Sequence, residues 1–208
     1  MVGNLVGQVA LLTAIAVPSV VSPNCRRSSA SAKLHFVSSI HLSRLPPQAL
    51  LSKYASMSAY TDCFATDLPR SVSQAQYVEG FYTGGLFKIE RLLLGVFISR
   101  PSTDAQAKQL AAGELSSFSA WSVEDRTADE LLMRAMDGRT RSWFMVSPRP
   151  DRTTRLYFGS AVVPVVSKKS GQPAMGFVFR VLLGFHKMYS RVLLGAARDR
   201  LAKLPHEA

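Results

Sequence analysis

Residues 118–166, FSAWSVEDRTADELLMRAMDGRTRSWFMVSPRPDRTTRLYFGSAVVPVV, decide the fold. Apolar and polar residues alternate through Phe118–Asp125, Glu130–Met136, Thr140–Val146 and Thr154–Val166. A period of two along four successive segments predicts four antiparallel strands. Asp137-Gly138, between the second and third, is the signal of a short hairpin, because glycine adopts the positive φ that such a turn requires. Pro148–Arg152 reads as a longer turn before the fourth strand.

On the C-terminal side, Ser167–Pro173 is a polar loop, and Gly176–Leu204 has the pattern of a long helix. Its apolar residues Val178, Val181, Leu182, Phe185, Tyr189, Val192, Leu193 and Ala196 recur at helical spacing, with Arg180, Lys187, Arg191 and Arg198 on the other face. On the N-terminal side the period is mostly 3.6. Thr103-Asp-Ala-Gln106 is a capping box opening a short helix through Ala112, and Pro101 ends an earlier one. That earlier helix, Leu86–Ser99, is apolar all round except for a stripe at Lys88, Arg91, Gly95 and Ser99, so it should be buried on most sides. Ser71-Val-Ser-Gln74 reads as a second capping box, with a helix running to Tyr82 before Gly84-Gly85 breaks it. Tyr60–Leu68 is extended, Gln48–Ala55 is a helix entered through Pro46-Pro47, and His35–Leu42 is a strand. Strands segregated from helices imply an α+β fold, with an antiparallel, curved sheet wrapped around the long C-terminal helix and a cavity between them.

The chain of 208 residues, 47% apolar and 19% charged, is enough for one domain with a sizeable core. We read 34–204 as that domain and 205–208 as a tail. Residues 1–33 read as a leader, either disordered or a targeting segment: they are free of acid, rich in serine and apolar from Leu5 to Val21, but lack a positive region before the apolar run. A signal, an anchor and a start codon placed too far upstream all fit this stretch. Cys25 and Cys63 are too few for a disulfide framework. The formal charge of +11 favours anionic partners, an anionic membrane surface among them. Nucleic acid is not expected, because no dense Lys/Arg run is interleaved with aromatics. The expected compartment is the cytoplasm, with membrane association as a second expectation.

The element order and the ending Gly176-Phe-Val-Phe-Arg-Val-Leu-Leu-Gly-Phe-His-Lys-Met-Tyr-Ser-Arg191 resemble uncharacterised bacterial proteins near the helix-grip (START-like, SRPBCC) superfamily. Ala59-Tyr-Thr-Asp-Cys-Phe64 and Arg100-Pro-Ser-Thr-Asp-Ala-Gln-Ala107 are similar to stretches of the same bacterial proteins. The resemblance covers about Leu34 to Leu204 and implies an apolar cavity, without implying its ligand or any reaction.

Several side chains are candidates for a site. Glu90 projects from the apolar helix beside Leu86, Phe87, Leu93 and Leu94, where a desolvated carboxyl could do acid–base work or pair with Arg91. Arg141 shares a strand face with Trp143, and Arg134 shares one with Leu132. Were these faces to line the cavity, the guanidinium groups would hold an anionic headgroup while Trp143 packs on an apolar tail; facing outward, they would be a solvated surface. Arg155 and Tyr157 on the next strand are candidates on the same reasoning. His186 lies on the flank of the long helix, as a boundary residue or a weak candidate for acid–base catalysis. Asp62 beside Cys63 would disfavour a thiolate, which leaves Cys63 as a small buried apolar residue. No GxSxG, Walker loop, GxGxxG or HExxH occurs, and the four histidines, at 35, 41, 186 and 206, include no pair with metal-ligand spacing, so no metal or cofactor is expected. The leading expectation is a domain that binds a hydrophobic or amphipathic small molecule or lipid, anionic in one version. The alternatives are an enzyme acting on such a ligand through Glu90 or His186, and a basic domain that docks on a membrane or a partner.

Overall fold

Seven antiparallel strands, three more than the meander alone predicts, form the main sheet. A computed structural model describes residues 40–57, 59–89, 91, 101–166, 173–174 and 177–204. The elements are β1 (His41–Leu42), α1 (Ser52–Ser56), β2 (Tyr60–Leu68), α2 (Gln74–Tyr82), α3 (Asp104–Ala112), β3 (Ser117–Phe118), β4 (Trp121–Arg126), β5 (Glu130–Ala135), β6 (Thr140–Pro148), β7 (Thr154–Val162), β8 (Val165–Val166), β9 (Pro173–Ala174) and α4 (Phe177–Ala202). The sheet order is β1-β2-β7-β6-β5-β4-β3, and β8 and β9 form a separate pair. β2, between α1 and α2, therefore pairs with β7, the last strand of the meander, and α4 crosses the curved sheet. The architecture is α+β.

The meander is held by local turn chemistry. Gly138 takes φ 70°, and Asp137 Oδ1 accepts the backbone N–H groups of Arg139 and Thr140, closing the β5–β6 turn. The expected single strand Phe118–Asp125 is instead a tight hairpin, β3–β4, turning at Ser119 with φ 52°. A serine in the left-handed region leaves no glycine cue in the sequence. The fourth expected strand stops at Val162, and Val165–Val166 pairs with Pro173–Ala174 outside the main sheet.

Each face of the sheet buries its own cluster. On the inner face, Phe64, Phe144 and Phe158 stand side by side in register and meet Tyr77, Phe81 and Tyr82 of α2, with ring centroids as close as 4.7 Å for Phe81–Phe144. Leu193, Leu194, Ala197 and Leu201 of α4 and Leu110 of α3 complete this core. On the outer face, Leu132, Trp143, Cys63 and Ala161 are covered by Ala49, Leu51 and Tyr54 in and around α1. A Cβ at Gly159 would lie 2.8 Å from the Asp62 carbonyl oxygen and 2.9 Å from both Leu51 and Trp143, so only glycine admits this close cover.

Two helix starts show how distant contacts select between local signals. The α3 box is the predicted one, with Thr103 and Gln106 exchanging bonds and Gly113 at φ 85° ending the helix. For α2 the box is not Ser71/Gln74 but Ser73/Gln76. Thr154 Oγ1 accepts from Val72 N–H at 3.0 Å and donates to Arg70 C=O at 2.8 Å, tying 70–72 to β7 and delaying the helix by two residues. Over the described residues of α4 the stripe differs in part from expectation: Leu193 is buried as expected, Val192 is half exposed, and Ser190, Leu194, Ala197 and Leu201 are buried as well, while Val178, Val181, Leu182 and Phe185 lie outside the described side chains. Residues 85–89 and 91 continue as helix, and the rest of the Leu86–Ser99 expectation lies outside the described residues. Arg91 is buried and joins neighbouring segments, bonding the Asp104 carboxylate at 2.6 Å, Ser102 Oγ at 3.1 Å and the Tyr82 carbonyl at 3.4 Å. Among the described residues no helix is long and apolar enough to cross a membrane.

Candidate functional site

The inner face changes character one row beyond its phenylalanines. Strand register sets Asp62 opposite Ser160 on β2 and β7, and Ser160 opposite Ser142 on β6. Alternation puts all three on the face that α4 crosses. His186, in the first half of α4, comes down on this row with Nε2 2.7 Å from Ser160 Oγ and 3.5 Å from Asp62 Oδ2. Asp62 Oδ1 accepts the Ser160 hydroxyl at 2.6 Å and the Ser160 backbone N–H at 3.0 Å, and Oδ2 accepts the Tyr60 hydroxyl at 3.0 Å. Asp62 and Ser160 are 6% and 1% exposed, while Tyr60 and His186 are partly open to solvent. The Tyr60 ring meets the His186 ring edge-on, 6.3 Å between centroids.

Burial sets the proton chemistry of this array. Removal from water disfavours the charged imidazole and holds His186 below its ordinary value; the Asp62 charge opposes that shift and Lys187 adds to it. Burial, reinforced by the Asp62 carboxylate, raises the Tyr60 hydroxyl, which stays protonated and donating. The Cys63 thiol, one residue along and on the other face, is pushed up to about 12 by burial and then by Asp62, so it is no nucleophile. Ser160, buried and with its hydroxyl beside a carboxylate, is not presented for attack either. The array can accept, donate and relay a proton at its His186 edge.

The residues singled out from the sequence divide sharply. Arg141, Trp143, Arg134 and Tyr157 share one face, but it is the outer one, away from α4, and the expectation that they line a cavity beneath α4 is corrected. Arg141 Nε bonds the Tyr54 hydroxyl at 2.8 Å and pairs with Glu124, Nη1 bonds the Gly138 carbonyl at 2.8 Å, and the guanidinium lies over the Tyr54 ring. Tyr54 also donates to Glu124, and Lys53 pairs with it at 2.9 Å. Burial raises the Glu124 carboxyl, but Tyr54, Lys53 and Arg141 outweigh it and keep the group below its usual value. Trp143 is fully buried and donates from Nε1 to Glu130 Oε2 at 2.6 Å, an oxygen that also accepts from Leu50 N–H. Tyr157 packs against Trp143, ring centroids 6.1 Å apart, and Arg134 is exposed at the end of the face. Arg155 makes a two-pronged pair with Asp67 at 2.7 Å on both prongs. Glu90 lies outside the described residues. Of the candidates among the described residues only His186 reaches the polar array. Sequence spacing does not single out Ser160, and it shows Asp62 only as the neighbour of Cys63, because Ser160 stands 98 residues from Asp62 and 26 from His186 and the three belong to no local motif.

A surface groove of about 700 Å³ lies at the far end of β7, lined by Arg70, Ser73, Gln76, Pro148, Arg152 and Thr154 among others. Much of its polar lining serves the fold. Arg70 bonds the Leu201 and Leu204 carbonyls at the end of α4, Ser73 and Gln76 cap α2, and Thr154 holds the 70–72 segment. Among the described residues no three of His, Cys, Asp or Glu are placed to hold a metal ion. Sheet, crossing helix and buried polar array define an α+β protein of helix-grip-like architecture. No protein-family model, curated protein or solved structure matches the chain.

Proposed function

We propose that the protein binds a small amphipathic molecule between the sheet and the first half of α4, with its polar end at Tyr60, Asp62, Ser160 and His186. The observation that carries this reading is the buried polar row itself. A carboxylate, a hydroxyl and an imidazole sit on a sheet face that is otherwise closed by aromatic packing, where burying polar groups is costly unless they have a task. The array belongs to no capping or turn motif, and its two partly open members, Tyr60 and His186, form an edge that a ligand would meet. The element order also supports kinship with the START-like proteins, whose cavity lies between sheet and C-terminal helix. The excess of positive charge, +11, would bring the protein to anionic membrane surfaces, a source of such amphiphiles.

Native mass spectrometry of gently purified protein tests the reading. The expected result is a mass above that of the bare chain, with a single class of amphiphile released on denaturation. A bare chain that also takes up no decan-1-ol on incubation would refute it.

A further inference from the structure

Ser160 Oγ has one proton and two close partners, Asp62 Oδ1 at 2.6 Å and His186 Nε2 at 2.7 Å. Among the described residues Asp62 accepts hydrogen bonds from the Ser160 N–H, the Ser160 hydroxyl and the Tyr60 hydroxyl, and His186 Nε2 stands 3.5 Å from its Oδ2. The serine proton therefore goes to Asp62, and the remaining contact is satisfied when His186 Nε2–H donates to the Ser160 oxygen. This fixes the neutral imidazole as the Nε2–H tautomer and leaves the lone pair on Nδ1. No hydrogen-bond partner for Nδ1 is found among the described residues. The Tyr60 proton is already engaged by Asp62, so the edge offers a ligand one lone pair backed by a carboxylate.

We infer that this array selects ligands whose polar end donates a hydrogen bond, a hydroxyl or a protonated amine on an apolar chain, and rejects a carboxylate of the same chain length. The inference rests on the proposed ligand site and reverses the anionic headgroup expected from the arginines, which lie on the other face. An anionic end would meet the Asp62 charge and, among the described members of the array, find each donor already committed. Among the described residues, the charged and titratable groups around His186 are Asp62 and Tyr60 on β2 and Lys187, exposed, on α4. Protonating Nδ1 in mild acid removes the lone pair and pairs the imidazolium with Asp62, so the preference for donors weakens there.

Two measurements on the full chain test this. Nitrogen-15 NMR of the imidazole is expected to give the Nε2–H tautomer at neutral pH; an Nδ1–H tautomer overturns the inference whatever ligand binds. Calorimetric titration with decan-1-ol below its solubility limit, and with decylamine and decanoate below their micelle concentrations, is expected to give at least about tenfold tighter binding of the alcohol and the amine. In His186→Phe, which keeps a ring in place, the three should converge to within about twofold. Decanoate binding as tightly as the alcohol overturns the inference and leaves the ligand site standing. Binding of none of the three removes the site and the inference together.

Discussion

Arg141→Met separates an architectural arginine from a ligand-binding one. Arg141 is 6% exposed, and the substitution deletes its pairing with Glu124 and its bonds to Tyr54 and the Gly138 carbonyl. Removing one partner of a buried ion pair costs about 3–5 kcal/mol when the other charge is left uncompensated. Glu124 is not left wholly alone, since Lys53 stays 2.9 Å away and its side chain is 18% exposed. A loss at or somewhat below the bottom of that range, about 2–3 kcal/mol, is therefore expected. For a chain of this size that lowers Tm by about 4–12 °C. Urea unfolding followed by circular dichroism at pH 7 reads the loss directly. The double variant Arg141→Met/Glu124→Leu should recover about 1 kcal/mol or more, because a buried pair replaced by apolar side chains no longer strands a charge. Binding of decan-1-ol should be unchanged wherever the variant is folded. Stability within about 0.5 kcal/mol of the parent, or lost binding at unchanged stability, would refute the placement of Arg141 on the covered outer face.

Ser73→Ala should cost about 1 kcal/mol in urea unfolding and Ser71→Ala less than about 0.5 kcal/mol; the reverse order would put the α2 cap where the sequence alone suggests it. In a Cys25→Ser background, Cys63 should resist iodoacetamide at pH 8 in the folded protein and react in guanidinium, because its thiol is pushed up to about 12; rapid native labelling contradicts this. Arg155, by its two bonds, holds the Asp67 carboxyl below its ordinary 3.8, so the folded state binds fewer protons than the unfolded chain in mild acid. That contribution is complete above the ordinary value and is lost as pH falls through the lowered one. Stability followed from pH 5 downward should decline less steeply in Arg155→Ala than in the parent, and identical slopes would sink the linkage.

What the sequence made legible was local chemistry. Thr103-Asp-Ala-Gln106 and Asp137-Gly138 are complete instructions within four residues, and both elements form where expected. Ser71-Val-Ser-Gln74 and Ser73-Gln-Ala-Gln76 are equally good signals, and only Thr154, more than eighty residues away, decides between them. Alternation placed Arg141 and Trp143 on one face but could not say which face α4 would cross. The cover of the other face comes from 45–56, a stretch with two prolines and little periodicity. The polar array was invisible for the same reason: Asp62, Ser160 and His186 are joined by register and by the path of α4, and neither leaves a trace in residue spacing.

The proposed ligand lies on the inner face of the sheet, beneath the first half of α4. Isotope-filtered NOE measurements between unlabelled decan-1-ol and labelled protein test it most directly. Contacts are expected from the alcohol end to Tyr60 and His186 and none to Trp143 or Tyr157. Contacts confined to Trp143 and Tyr157, or to the groove at Arg152 and Pro148, would contradict it.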